Sequence, residues 1–258
     1  MKRFTIFRKP QSNSSSPWYS KFAAILLPAL FWLAVWQIVS SWMGRPLLLP
    51  GPLFVLRRLG ELIVTVSFWQ ITAYSLGRIG LGFIGGVFAG ILAALLTHWN
   101  KAAAALLSPL LKAILATPVI SFSILLIIWF DSNFVPIYIV FLIVTPIVWE
   151  NFRTGISATD NQLLEMAELF QVSFLRKLRC IYVPSIMPYF VAAVKNSFRL
   201  AWKSGIAAEV IASPRFAIGR AMQDGRVYLQ IADVMAWTLV VILLSLTIER
   251  IFLRGEDS

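Results

Sequence analysis

Glu165 to Pro188 reads EMAELFQVSFLRKLRCIYVPSIMP. It is the longest polar, amphipathic interruption between two apolar blocks that are each long enough to span a membrane. Its lead-in has a helix-start pattern. Thr159 is placed to act as N-cap, with Gln162 three residues later where a capping box puts it. Leu163, Ala167, Phe170 and Phe174 then recur at helical spacing on one face. Arg176, Lys177 and Arg179 gather at the far end, where cations suit the helix dipole. Pro184 and Pro188 close the stretch and open the next apolar run, as prolines do in a first helical turn. A short amphipathic helix between two spans has two readings. It is a surface helix lying on the bilayer, or a docking element whose apolar knobs enter a partner's groove. The residues alone leave both open.

Working outward, the chain of 258 residues is 59% hydrophobic and only 14% charged, with mean hydropathy +0.77. A soluble domain carries roughly 25% charged residues, so the composition is that of an all-α polytopic membrane protein with one transmembrane domain. In a soluble chain the net charge of +11 would point to nucleic acid. In a membrane chain the placement of Lys and Arg in cytoplasmic loops is the relevant reading, and no nucleic-acid partner is expected. One cysteine, Cys180, excludes an internal disulfide and a cysteine-cluster metal site; it reads as structural.

In order, residues 1–21 form a basic, polar cytoplasmic tail, and 22–42 are the first apolar run, about the 20 residues that a crossing needs. No small-x-small cleavage pattern follows, so this reads as a retained span starting inside. Residues 43–69 read as an outside loop with an interfacial helix. The second span is 71–97, with a short inside loop at 98–101. The third, 102–130, is bent or broken at Pro109 and Pro118. The fourth is 134–149, the inside loop 150–182, the fifth span 183–208, then a polar loop to 230, a sixth span 231–252 and a C-terminal tip at 254–258. About six transmembrane helices put both termini and the 150–182 loop in the cytoplasm. Inside segments then carry twelve Lys and Arg against six outside.

Within the second span GLGFIG, Gly80 to Gly85, matches a dinucleotide pattern in letters only, because that motif needs a strand before it. The better description is Gly82, Gly86, Gly90 and Ala94, a small-residue face for close helix packing in lipid. Charges inside the spans are the unusual feature, since a mid-bilayer cation costs roughly 2.5–3.5 kcal/mol on insertion scales. Arg78 precedes the glycine face, and Lys112 is close enough to the inside end to snorkel. Lys195, Arg199 and Lys203 share one helix face, with Glu209 following. Either Arg199 or Lys203 pairs with Glu209 or with backbone carbonyls, or the stripe lines a pathway that attracts an anion. His98, the single histidine, reads as an interfacial residue.

Catalytic signals are poor. No Gly precedes Lys-Ser or Lys-Thr in a phosphate-loop pattern, so ATP is not expected to bind here by that route. One His and one Cys in different loops make no nucleophilic pair, and the twelve acids form no carboxylate constellation. The chain does not read as an enzyme, and no metal site is expected. A secondary transporter would typically show more spans and inverted repeats.

The 165–184 stretch resembles the cytoplasmic loop of binding-protein-dependent ABC importer permeases: Glu-Ala-Ala, three residues, Gly, nine residues, Ile, one residue, Leu-Pro. Here Glu165-Met166-Ala167, Gln171 and Ile181-Tyr182-Val183-Pro184 keep the spacing. Met166, Gln171 and Val183 depart from it. Gly at the Gln171 place permits positive φ, so the turn is made differently here or Gln171 continues the helix. Further matches are Leu49-Pro50-Gly51-Pro52, Trp69, Ser75-Leu76-Gly77-Arg78, Pro109-Leu110-Leu111, Thr117-Pro118-Val119, Ile128-Trp129-Phe130, Arg199, Ala208-Glu209 and Ile218-Gly219. In their order they resemble permeases of the nitrate, sulfonate, taurine and bicarbonate importer class over roughly 47–252. Ile120-Ser121 and Lys203 depart from that class.

The resemblance implies a MetI-like importer permease fold in the plasma (inner) membrane. It implies a substrate pathway formed with a second permease copy, as a homodimer, for a small anion. It further implies a cytoplasmic ATPase subunit that holds the ATP, and an extracytoplasmic substrate-binding protein. Ala167 and Phe170 would meet the ATPase, with Glu165 at the edge and Gln171 and Pro184 shaping the loop. Related permeases carry neutral or heterocyclic nutrients, and a secondary transporter is the rival class.

Overall fold

The computed structural model describes residues 18–253 apart from Pro46, and every described element is helical. The basic tail expected over 1–21 falls mostly on residues 1–17, outside the described residues, as does the 254–258 tip. The chain divides into two units, Met1–Phe54 and Val55–Ser258.

In the first unit α1 (Trp18–Met43) ends where Gly44 takes φ +60°, a left-handed step that glycine makes without a Cβ clash. The chain then folds back along the helix. The Trp36 indole N–H donates to the Pro50 carbonyl (3.1 Å), and the Ser40 hydroxyl donates to Leu49 O (2.8 Å). α2 (Pro52–Ile63) begins at a proline, whose missing N–H costs nothing in a first turn.

The second unit is organised on α3 (Val66–Trp99). Thr65 caps it, its hydroxyl accepting from the Phe68 N–H. At 34 residues it is about 51 Å long, more than a bilayer core. The loop expected at 98–101 contracts to Asn100. That residue ends α3, and its side chain accepts from the Ala102 and Ala103 N–H groups to start α4 (Lys101–Ala116). α5 (Val119–Trp129) follows at a bend of 106°. Pro118 is the cause. It removes a donor and pushes Thr117 out of the helical region, to φ −85°, ψ 131°. Pro109 sits inside α4 without ending it.

α6 (Val135–Ser157) packs along α3. A Cβ at Gly82 would lie 2.5 Å from Ile137 O, at Gly86 2.7 Å from the Val144 Cβ, and at Gly90 2.7 Å from Thr145 O. The fully buried Val140, Val144 and Val148 occupy the space that these glycines leave. α9 (Val183–Ala212) closes on the pair through Gly205, whose Cβ would meet Ile79 at 2.7 Å. In lipid such contact, rather than exclusion of water, holds helices together. α10 (Ile218–Val227) and α11 (Ile231–Leu253) complete the unit, with α11 tied to α9 by the Trp202 indole N–H donating to Val241 O (3.2 Å).

Several expected boundaries move. α6 runs to Ser157 and not to 149, so the loop expected from 150 begins at 158. The span expected to end at 208 continues to Ala212, and the polar loop to 230 contains α10. Among the described residues four helices are long and apolar enough to cross a membrane: α1, α3, α6 and α11. The bent α4–α5 pair makes a fifth if it is one span. α9 has the length, but Lys195, Arg199 and Lys203 interrupt its apolar character.

Candidate functional site

Two sets of residues stand out, at opposite ends of α9. Before its first turn lies the loop of 158–182. There α7 (Asn161–Leu169) is capped by Asp160, whose carboxylate accepts from the Gln162 N–H at 2.8 Å. Thr159, the expected cap, is buried instead, and its hydroxyl has no partner among the described residues. Asp160 wins because its backbone is already extended (ψ 117°), which aims its side chain at the open N–H groups.

α7 ends in a two-bond clasp. The Gln171 N–H donates to Glu168 O (2.9 Å) and the Val172 N–H to Ala167 O (2.9 Å). That pattern is a Schellman motif, which requires a left-handed residue at its turn. Gln171 supplies it at φ +52°. The turn usually given to glycine is therefore kept, by a side chain that pays a steric cost for it.

Phe170 and Phe174 do not continue the α7 face, because the helix stops at Leu169. Ala167 is 5% exposed and belongs to the chain's own packing, so its methyl is not part of a free contact face. The exposed apolar groups are Leu163, Met166, Leu169 (84%), Phe170 (77%), Phe174, Leu175 and Leu178. Glu165 is also exposed, and the ion pair at the edge is Glu168 with Lys177 at 3.9 Å.

A short α8 (Phe174–Lys177) then passes through a π-helical turn, Leu178–Tyr182, directly into α9. The Val183 N–H reaches back to Leu178 O, and Pro184, next in line, has no N–H to give. A donorless residue at that place accounts for the slip in the ladder. Cys180 is exposed on this turn, so it is not a buried structural cysteine.

At the other end of α9 Glu209 is completely buried. Its carboxylate accepts from the Ser75 hydroxyl (2.8 Å), the Gly219 N–H (3.2 Å) and Arg78 Nη1 (3.5 Å). Arg78, buried on α3, also donates to Phe216 O (3.0 Å) and to Arg215 O. Ser75 Oγ in turn accepts from the Ile218 N–H (2.9 Å). This network bolts α3, α9 and the start of α10 together, and its partners leave Glu209 neither a free acid nor a free base. Arg78 and Glu209, candidate pathway charges by residue type, form an internal pair whose polar atoms have partners.

The three cations of the stripe stay on one helix but differ in surroundings. Arg199 bonds Glu249 of α11, with Nε at 2.8 Å from Oε1, and not Glu209. Lys195 is half-buried, and Lys203 is exposed about 120° around α9 from Glu209. Ser75, Gly219, Phe216 and Glu249 have roles that residue type alone did not give. The signal for Glu249 is a carboxylate in an otherwise apolar run.

Residues 86–253 match the family described as "Binding-protein-dependent transport system inner membrane component". The chain belongs to this family. Among its relatives, the bicarbonate transport system permease protein CmpB of Synechococcus elongatus is 26% identical, over 94% of each chain. The formylaminopyrimidine transport permease protein ThiX of Halalkalibacterium halodurans is 28% identical, over 68% of this chain and 72% of that one. The taurine transport system permease protein TauC of Escherichia coli is 24% identical, over 88% and 82%. A solved amino acid ABC transporter shares the fold, with TM-score 0.62 at 18% identity over 73% of this chain and 93% of that one. The protein is thus an inner-membrane ABC importer permease of the expected class. The α7 loop, the Gly86–Gly90 contact and Glu209 lie inside the family match; Arg78 of this permease lies before it.

Proposed function

We propose that this permease, as a single transmembrane domain over 22–253, forms the pathway of an ATP-driven importer for a small anion. Its 158–182 loop is the contact for a cytoplasmic ATPase subunit. A second copy of the chain completes the pathway, and an extracytoplasmic binding protein delivers the substrate. Both termini then lie in the cytoplasm. The observation that carries the reading is the exposed apolar set Leu169, Phe170 and Phe174 on a loop whose own backbone is capped, clasped and continuous with α9. Such a set in water is unfavourable unless a partner covers it. Bicarbonate and taurine in the relatives' names support an anionic group on the substrate. The formylaminopyrimidine permease supports the second substrate reading, a heterocyclic nutrient. Neither the family nor these relatives support a secondary transporter.

The test is to purify the full-length protein from its native membrane and identify every chain that comes with it. A phosphate-loop ATPase should co-purify stoichiometrically and be lost on Phe170→Arg, because a charge at an apolar contact must be desolvated. An ATPase retained by that variant, or none with the wild type, would overturn the docking assignment.

A further inference from the structure

The chain forms a surface cavity where α9 gives way to α10. It is open to the surface, measures about 370 Å3 and is lined by Ile71, Arg215, Phe216, Ala217, Arg220 and Asp224, among others. That volume falls in the small-molecule range. Two guanidinium groups and one carboxylate give the walls a net positive charge, while Ile71, Phe216 and Ala217 are apolar.

The two arginines are available. Arg215 uses its backbone N–H on Asn133 Oδ1 (3.0 Å) and its carbonyl on Arg78, while its side chain is exposed and makes no ion pair among the described residues. Arg220 has only a 3.7 Å contact with Asp224, one turn on, with both side chains about half exposed.

The wall is also built. Phe216 stands at φ +48°, a left-handed conformation that a bulky residue adopts only when its surroundings hold it there. Arg78 holds its carbonyl, and Tyr74 stacks on its ring at 5.5 Å.

We infer that this cavity is a binding site on the permease itself for a small, singly charged oxyanion of the sulfonate, nitrate or carboxylate type. The inference rests on the anion reading proposed above and places that anion at a named site. Arg215 and Arg220 bind it, since a guanidinium fork matches two oxygens of such a group. Asp224 is a counter-charge that weakens binding, as a station on a transport route requires, because an ion held too tightly does not leave. The cavity lies at the C-terminal end of α9 and the docking loop at its N-terminal end, about 45 Å away along 30 residues of helix. The permease would then select for anionic solutes independently of any protein that delivers them.

The experiment is saturation-transfer NMR of ethanesulfonate on the full-length chain in lipid nanodiscs, without ATP or ATPase. A saturable signal is expected, displaced by nitrate and not by choline or glycerol. Arg220→Gln should weaken binding about fivefold and Asp224→Asn should tighten it by a similar factor, the scale of one partly exposed charge contact. Thermal unfolding establishes that both variants are folded. No saturable signal, or unchanged affinity in either variant, overturns the site. So does a silent ethanesulfonate spectrum combined with weaker capture of an extracytoplasmic binding protein by Arg220→Gln, which would make the cavity a protein contact. Uptake of labelled ethanesulfonate by the assembled importer in proteoliposomes separates the two failures: uptake without binding to the permease alone overturns this site and leaves the anion reading standing, whereas neither uptake nor binding overturns both.

Discussion

Glu209 has no exposed surface, and it is tolerable there only because Ser75, Gly219 and Arg78 fill its lone pairs. Removing one partner is therefore worse than removing the pair. Arg78→Met should cost about 3–5 kcal/mol, the range for a buried charge left alone. Adding Glu209→Met to it should recover part of that, as a double-mutant cycle by thermal unfolding of the detergent-solubilised protein would register. A further loss of stability in the double variant would mean that the pair has no mutual role. Gln171 makes the opposite kind of demand, on backbone and not on charge. At φ +52° a β-branched residue is strained, so Gln171→Val should destabilise by about 1–2 kcal/mol. Gln171→Gly should stay close to the wild type, since the relieved strain offsets the entropy that glycine adds to the unfolded chain. The same unfolding curves decide it. None of this was legible from residue type. Glu209 and Arg78 are 131 positions apart, and a cap that shifts by one residue, from Thr159 to Asp160, lies between two neighbouring side chains that both can cap.

At the scale of elements, the glycines of α3 divide into two groups. A Cβ at Gly86 would sit 2.7 Å from the Val144 Cβ, whereas one at Gly77 meets nothing within 4 Å. Gly86→Ala should thus push α6 away and destabilise by about 1–3 kcal/mol. Gly77→Ala should be neutral or stabilise by up to about 1 kcal/mol through helix propensity. Opposite signs in thermal unfolding are the expected result, and equal losses would mean that both faces are packed. This division was readable in advance, because a four-residue repeat of small side chains has one use in an apolar helix. The long apolar helices were readable for the same reason, as was the break at Pro118. α10 was not: it is short, carries Arg220 and Arg226, and has the composition of a loop. Its helicity comes from its anchorage, with Ile218 and Gly219 donating into the buried network below.

At the scale of the whole molecule, α9 and its π-helical turn join the 158–177 loop to the buried network as one continuous element. If that element transmits movement, its angular register matters more than its composition. One alanine inserted within Leu178–Tyr182 should rotate 161–177 by about 100° relative to α9. ATP hydrolysis by the assembled importer should then continue while uptake stops, measured side by side in proteoliposomes; unimpaired uptake would show that the turn absorbs the insertion. The pairing of Arg78 with Glu209 has a last consequence, for biogenesis. Arg78 emerges from the ribosome 131 residues before its carboxylate partner. At 5–20 residues per second that interval is roughly 7–26 s. During it α3 must enter the bilayer with an uncompensated cation, and the rest of α3, with mean hydropathy 2.3 in its most apolar window, carries it in. The ion pair that fastens the finished protein thus stays incomplete through about half of its synthesis, and α9 is the segment whose arrival completes it.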